Sequence, residues 1–205
     1  GDLYTNSDLV YNDDGYIEVD KNGNVAVKDD YMDDIYLGSV FPKYNLAWRN
    51  DFNYKGINLG VLFTARIGGI CYSATQANMD LYGVSEASAA ARDAGGVMIN
   101  GRDMIDAQKW YQVIGSQSGL PQYYTYSATN VRLQELSLGY TLPSKWFRDK
   151  MRMTVSFVGR NLWMIYCKAP FDPEAVASTG MNYQGIDYFM MPSMRNLGFN
   201  VKFQF

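Results

Sequence analysis

The sequence predicts an all-β chain: about five antiparallel strands of a larger transmembrane β-barrel, with long extracellular loops that contain short helices. Three observations point there. The closing residues alternate without a break, with Leu197, Phe199, Val201, Phe203 and Phe205 on one face and Asn196, Gly198, Asn200, Lys202 and Gln204 on the other. That period of two belongs to a strand with one oily and one wet side. The connections between strand-like segments run short, long, short, long, as periplasmic turns and external loops do in outer-membrane barrels. Trp48, Trp163 and Tyr166 fall near one set of strand ends and Tyr54, Tyr140 and Trp146 near the other, the places of interfacial aromatic girdles.

Each strand has its own pattern. From Tyr44 to Tyr54, Leu46, Trp48, Phe52 and Tyr54 oppose Ala47, Arg49, Asp51 and Asn53, with Asn50 a polar residue on the oily side. Lys55-Gly56 reads as a tight turn. From Ile57 to Ile67, Leu59, Val61, Phe63 and Ala65 oppose Asn58, Gly60, Thr64 and Arg66, with Leu62 out of phase. The third strand, Asn130 to Leu142, sets Leu136, Leu138, Tyr140 and Leu142 on one side. Its stretch Val131 to Gln134 has the opposite phase, which predicts a bulge or a strand rising above the membrane. After a short turn over 143–150, the fourth strand runs from Met151 to about Tyr166, with Met153, Val155, Phe157, Trp163 and Ile165 opposite Arg152, Thr154, Ser156 and Arg160. The fifth is the terminal strand. Its spacing of Asn196, Gly198, Val201, Phe203 and the final Phe205 resembles the C-terminal signal read by the barrel-assembly machinery. Leu59, Val61, Phe63, Val155, Phe157 and Phe199 are the expected lipid-facing residues. Residues 1–43 are expected to form an extracellular loop and hairpin segment, and 44–205 the barrel strands.

Composition narrows the function. A net charge of -3 with scattered Lys and Arg argues against nucleic acid as a partner. Aromatics make up 15% of residues while the mean hydropathy is -0.25, a mix suited to alternating faces and not to apolar helical spans. No His is present, which removes the commonest general base and metal ligand. Five strands cannot close a barrel, since the smallest have about eight, so the chain is expected to be part of a longer protein. An ordinary half-exposed sheet in a soluble all-β module, with Tyr and Trp stacking on carbohydrate, is the alternative.

The loops carry weaker signals. Tyr16 to Val19 and Val25 to Val27 flank Asp20-Lys21-Asn22-Gly23-Asn24, which reads as a hairpin turn. Asp20, Asn22 and Asn24 alternate as in a calcium loop, but the later Gly and the distal bidentate Glu of such a loop are missing. Asp29, Asp30, Asp33 and Asp34 form an acidic run that could collect a cation but reads first as a solvated loop. Ser85 to Arg92 is expected to be helical, ended by Gly95-Gly96, and a second helix is expected over Asp103 to Tyr111. Asp172, Glu174 and Asp187 could be posed as glycosidase carboxylates, yet Asp172-Pro173-Glu174 reads first as a turn, so no catalytic residue, metal site or cofactor is assigned. Cys71 and Cys167 belong at strand ends two spacings, about 10 Å, apart, beyond the roughly 7 Å Cα separation a bridge needs. Two free thiols are expected unless the loops fold inward.

Several stretches together resemble one family. Leu37 to Pro42, Ala91 to Val97, Ser127 to Tyr140, Val158 to Leu162, Lys168 to Glu174 and Gln184 to Tyr188 look, in this order, like the C-terminal barrel portion of SusC/RagA-type TonB-linked outer-membrane proteins. The resemblance implies a barrel of about 22 strands around a plug, importing oligosaccharides or peptides in the bacterial outer membrane. It implies a SusD-like lipoprotein as partner, TonB engaged through an N-terminal part this chain lacks, the barrel-assembly machinery, and membrane lipid.

Overall fold

The computed structural model describes residues 1–29, 34–148, 150–175, 177 and 184–204. Asp30 and Asp33 of the acidic run, and Phe205 of the terminal signal, lie outside the described residues. The protein is mostly β with a few short helices. It divides into two compact units. One comprises Gly1–Phe41, Ile70–Tyr126 and Val176–Met190, and the other Pro42–Gly69, Ser127–Ala175 and Met191–Phe205.

The second unit is a five-stranded antiparallel meander. Its strands are β1 (Tyr44–Tyr54), β2 (Ile57–Ile67), β3 (Asn130–Thr141), β4 (Arg152–Cys167) and β5 (Asn196–Gln204), each hydrogen-bonded to its sequence neighbour. All five fall where the alternation placed them. Lys55 and Gly56 turn β1 into β2 with φ of 49° and 87°, the paired positive φ that a two-residue hairpin of this hand requires. Gly56 also has no room for more: a Cβ there would sit 2.9 Å from the Thr141 carbonyl oxygen. Between β3 and β4 the chain turns through a single 3-10 segment, Ser144–Phe147.

The phase change in β3 is a bulge. Leu133 pairs with Phe63 and Glu135 with Leu62, so Gln134 is the extra residue. β4 compensates with Asn161 at φ 51°, between Arg160 opposite Glu135 and Trp163 opposite Leu133. A bulge shifts side-chain phase by one residue. Val131 and Leu133 therefore stay on the same face as Leu136, and Asn130 and Arg132 turn to the other.

The first unit has the buried core: Leu9, Val25, Ala77, Ile99, Ile105, Trp110, Ile114, Leu120 and Tyr124 cluster together. Of three helices, α1 (Ala74–Leu81), α2 (Glu86–Asp93) and α3 (Ala107–Gly115), the first and last contribute Ala77, Trp110 and Ile114 to it, and Ser73, Ser85 and Asp106 cap the three through side-chain oxygens that accept from backbone N–H groups. The expected helix at Ser85 is α2. The one expected from Asp103 starts later, because Asn100 and Gly101, at φ 54° and 69°, reverse the chain and pair Asp103–Ile105 with Val97–Ile99 as a hairpin. Asp106, not Asp103, is the cap. α1 had no sequence signal strong enough to mark it. Neither Cys71 nor Cys167 is in a disulfide. No helix among the described residues is long and apolar enough to cross a membrane.

The expected hairpin near Asn22-Gly23 is one corner of a larger device. Val10, Glu18 and Ala26, eight residues apart, form a ring of backbone bonds: Val10 N–H donates to Ala26 O, Glu18 N–H to Val10 O and Ala26 N–H to Glu18 O, at 2.9–3.0 Å. The flanking pairs repeat with it, Tyr11 opposite Ile17, Val19 opposite Val25 and Leu9 opposite Val27. The turns repeat too. Asn12 Oδ1 accepts from the N–H of Asp14 and Tyr16, and Asp20 Oδ1 from those of Asn22 and Asn24. The Asp20 carboxylate is thus engaged by its own turn, an Asx geometry. Those hydrogen bonds hold its acid well below the ordinary carboxylate value.

Candidate membrane-facing surface and loop knot

Strand register sorts the meander into two chemically opposite faces, because residues directly across a sheet share a side. One row reads Phe52, Leu59, Leu138, Phe157, Phe199 through all five strands. The rows beside it read Tyr54, Ile57, Tyr140, Val155, Val201 and Asn50, Val61, Leu136, Gly159, Leu197. A fourth, Trp48, Phe63, Leu133, Trp163, spans the bulge. The six residues expected on the apolar face, Leu59, Val61, Phe63, Val155, Phe157 and Phe199, all lie in these rows. Phe199 is 81% exposed, Trp48 63%, Phe52 60% and Leu138 54%. Their rings contact one another across strands, Trp48 stacked on Phe63 at 5.7 Å and Phe157 edge-on to Phe199 at 5.5 Å. The one polar intruder is Asn50, whose buried amide nitrogen has no hydrogen-bond partner among the described residues.

The opposite face is mostly polar, with Leu62 and Val158 among its apolar members. Arg49, Glu135 and Arg160 share a row and form a bridge, with the Glu135 carboxylate 3.6 Å from Arg49 and 3.1 Å from Arg160. Near the short-turn end Asn53 donates to Asn58, Asn58 to Thr141, and the Thr141 and Thr154 hydroxyls are hydrogen-bonded at 3.0 Å. Of the terminal-signal residues, Asn196 and Gly198 lie on this face of β5 and Val201 and Phe203 on the apolar one.

At the long-loop end of β3 a buried charge is tied down. Arg132 is 2% exposed, and its Nη2 and Nη1 both donate to the Asp172 carboxylate, the second at 3.1 Å. Asn130 Oδ1 accepts from Arg132 Nε at 2.9 Å. Ser193 donates to Asp172, and Asn161 Nδ2 donates to Ser193 at 2.8 Å. The bidentate fork and these extra partners are what a buried pair needs to offset its desolvation. The knot joins β3, the loop after β4 and the segment before β5. Only tertiary structure assembles it, since Arg132 and Asp172 stand forty residues apart. The sequence hint was Arg132 inside the out-of-phase stretch.

Burial by itself would raise the Asp172 acid; the hydrogen bonds from Arg132, Ser193 and the Glu174 backbone, with the Arg132 charge, outweigh it and hold the acid below its ordinary value. A folded value lower than the unfolded one contributes stability that is complete above the unfolded value of about 3.9 and fades as pH falls through the folded value. The stability advantage of the native chain over Asp172→Asn is therefore expected to hold steady from pH 7 to about pH 5 and shrink below about pH 4. Urea unfolding midpoints at pH 7, 5 and 3 check this, and an equal gap at all three would refute it.

The carboxylates posed for glycoside chemistry have other work. Asp172 serves Arg132, Glu174 stands 3.5 Å from the same guanidinium, and Asp187 accepts from Ser73 Oγ at 2.8 Å, the hydroxyl that caps α1.

No family model matches the chain. It is 25% identical over 198 residues to TonB-dependent receptor P3 of Formosa agariphila, a match covering 92% of this chain and 19% of that protein. Its fold is that of part of a chain in three structures of the RagAB peptide importer or transporter. TM-scores are 0.59 for the closed-closed state, 0.61 for the transporter and 0.58 for the open-open state, at 16–17% identity. Each match covers 98% of this chain and 21–22% of the other. The chain thus spans about a fifth of the length of the relatives it matches.

Proposed function

We propose that this chain, similar over most of its length to a TonB-dependent receptor and sharing its fold with part of RagAB, walls the C-terminal part of an outer-membrane importer barrel. The observation that carries the reading is the set of apolar rows crossing five strands, backed by a polar face of charged and amide side chains. In a barrel, such rows meet lipid and the polar side meets the lumen. The open edges of β1 and β5 then pair with further strands, which a sheet of this size needs in order to lose its edges. The long connections after β2 and after β4 leave the same end of the meander, the end that in this reading faces outward, where cargo arrives. The cargo is an oligosaccharide or a peptide, delivered beneath a SusD-like lipoprotein and drawn in through TonB acting on another part of the protein. The relatives are a receptor and an importer, and no catalytic role is proposed.

Val201, Phe203 and Phe205 in this reading serve insertion more than transport. Deleting Gln204 and Phe205 shortens the last strand without touching the loops. The expected result is a loss of most heat-modifiable barrel from the outer membrane, with near-normal cargo uptake per surviving barrel. Normal barrel yield with collapsed uptake per barrel would contradict it. A protein that stays monodisperse in plain buffer without detergent would favour the soluble carbohydrate-binding module instead.

A further inference from the structure

An open slot of about 800 Å³ lies in the first unit, between the chain pass at residues 16–21 and the strand Asp103–Ile105. Its size is within the range of ligand sites. In the threefold ring the central residues of each pass turn their backbone groups inward, so those of the residues on either side turn outward. On the pass lining the slot these are Ile17 and Val19. Ile17 is already paired, and by a side chain: its N–H donates to Asn100 Oδ1 at 2.9 Å and its C=O accepts from Asn100 Nδ2 at 3.0 Å. One carboxamide thus occupies the place that a peptide group of a neighbouring strand would take. Two residues on, on the same edge, the N–H and C=O of Val19 have no hydrogen-bond partner among the described residues.

We propose that this slot binds an extended peptide segment, which continues along Val19 the edge pairing that the Asn100 amide begins at Ile17. Edge addition of this kind takes its affinity from main-chain hydrogen bonds and is tolerant of side-chain sequence. The rim has both signs of charge, Glu18 and Asp103 with Lys21 and Arg102, which suits a peptide bearing mixed charges. A saccharide is less well served. Among the described residues, the aromatic lining the slot is Tyr16, and the Arg102 guanidinium covers its ring at 4.7 Å. The proposal deepens the transport reading by naming a cargo class, and rests on that reading only for the fate of the bound peptide.

The test is calorimetric titration of the full-length outer-membrane protein in detergent. Its probes are a seven-residue peptide of alternating valine and threonine, the same peptide N-methylated on the amides of one edge or the other, and a glucose hexasaccharide. Methylation of one edge is expected to weaken binding at least tenfold while methylation of the other leaves it unchanged. Val19→Pro removes a donor the fold does not use and is expected to weaken the parent peptide by a similar factor. Equal binding of all three peptides, no peptide binding, indifference to Val19→Pro, or capture of the hexasaccharide in place of the peptide would overturn the proposal. The methylated peptides leave the protein untouched, so they decide the matter even if the variant misfolds. Val19-dependent binding by a protein that takes up no cargo would overturn the transport reading and leave this one standing; uptake without such binding would do the reverse.

Discussion

Phe157→Arg is expected to abolish most barrel assembly, and Ser156→Arg, one residue away, to leave it nearly intact. Phe157 sits in the central apolar row between Leu138 and Phe199, while Ser156 faces the other way between Gly139 and Asn200. An arginine on the lipid side at mid-depth costs about 2–4 kcal/mol. Losing the edge-on contact with Phe199 adds about 0.5–1.5 kcal/mol. Together these shift the folding equilibrium by a factor of about sixty or more on the scale of about 1.4 kcal/mol per tenfold. On the lumen side the same guanidinium stays hydrated. The measurement is the heat-modifiable fraction in outer-membrane preparations, normalised to total protein. Equal yields from the two variants would show that the rows do not face lipid.

The second large effect is expected at Arg132. Arg132→Gln leaves the Asp172 carboxylate, 8% exposed, without its counter-charge. Breaking one partner of a buried pair costs about 3–5 kcal/mol. Because Ser193 donates to the same carboxylate and Asn161 donates to Ser193, the base of the loop after β4 is expected to loosen as well. The double variant Arg132→Gln, Asp172→Asn removes both charges and is expected to recover part of the loss, a coupling of at least about 1 kcal/mol. Denaturant unfolding of the four proteins in detergent, with limited proteolysis of residues 168–195, checks both points. Strictly additive effects below about 1 kcal/mol would mean the knot is ornamental to stability.

The meander was legible from sequence because a strand states its two faces locally. Every second residue from Leu46 to Tyr54, or from Leu197 to Phe203, meets the same surroundings, and neighbouring strands joined by Lys55-Gly56 have little choice but to pair. Even the bulge announced itself, since Val131 to Gln134 broke phase. The resemblance to SusC/RagA proteins drew on motifs of the same local kind. Contacts between distant residues were not legible. Arg132 and Asp172 meet only because the bulge turns one inward and the loop after β4 returns the other, and nothing near either residue encodes that meeting. Asp103 looked like a helix start until the Asn100-Gly101 reversal gave Val97–Ile99 a strand partner, a pairing worth more than local helix propensity. The threefold ring left a visible trace, an eight-residue recurrence at Leu9, Ile17 and Val25, yet only its closure exposes the Val19 edge. Sequence alone determined which faces each strand has, because side-chain alternation is a property of the single chain. Tertiary structure decided which backbone and charged groups are paired and which are left open, because hydrogen bonds between distant segments depend on where the whole chain brings them.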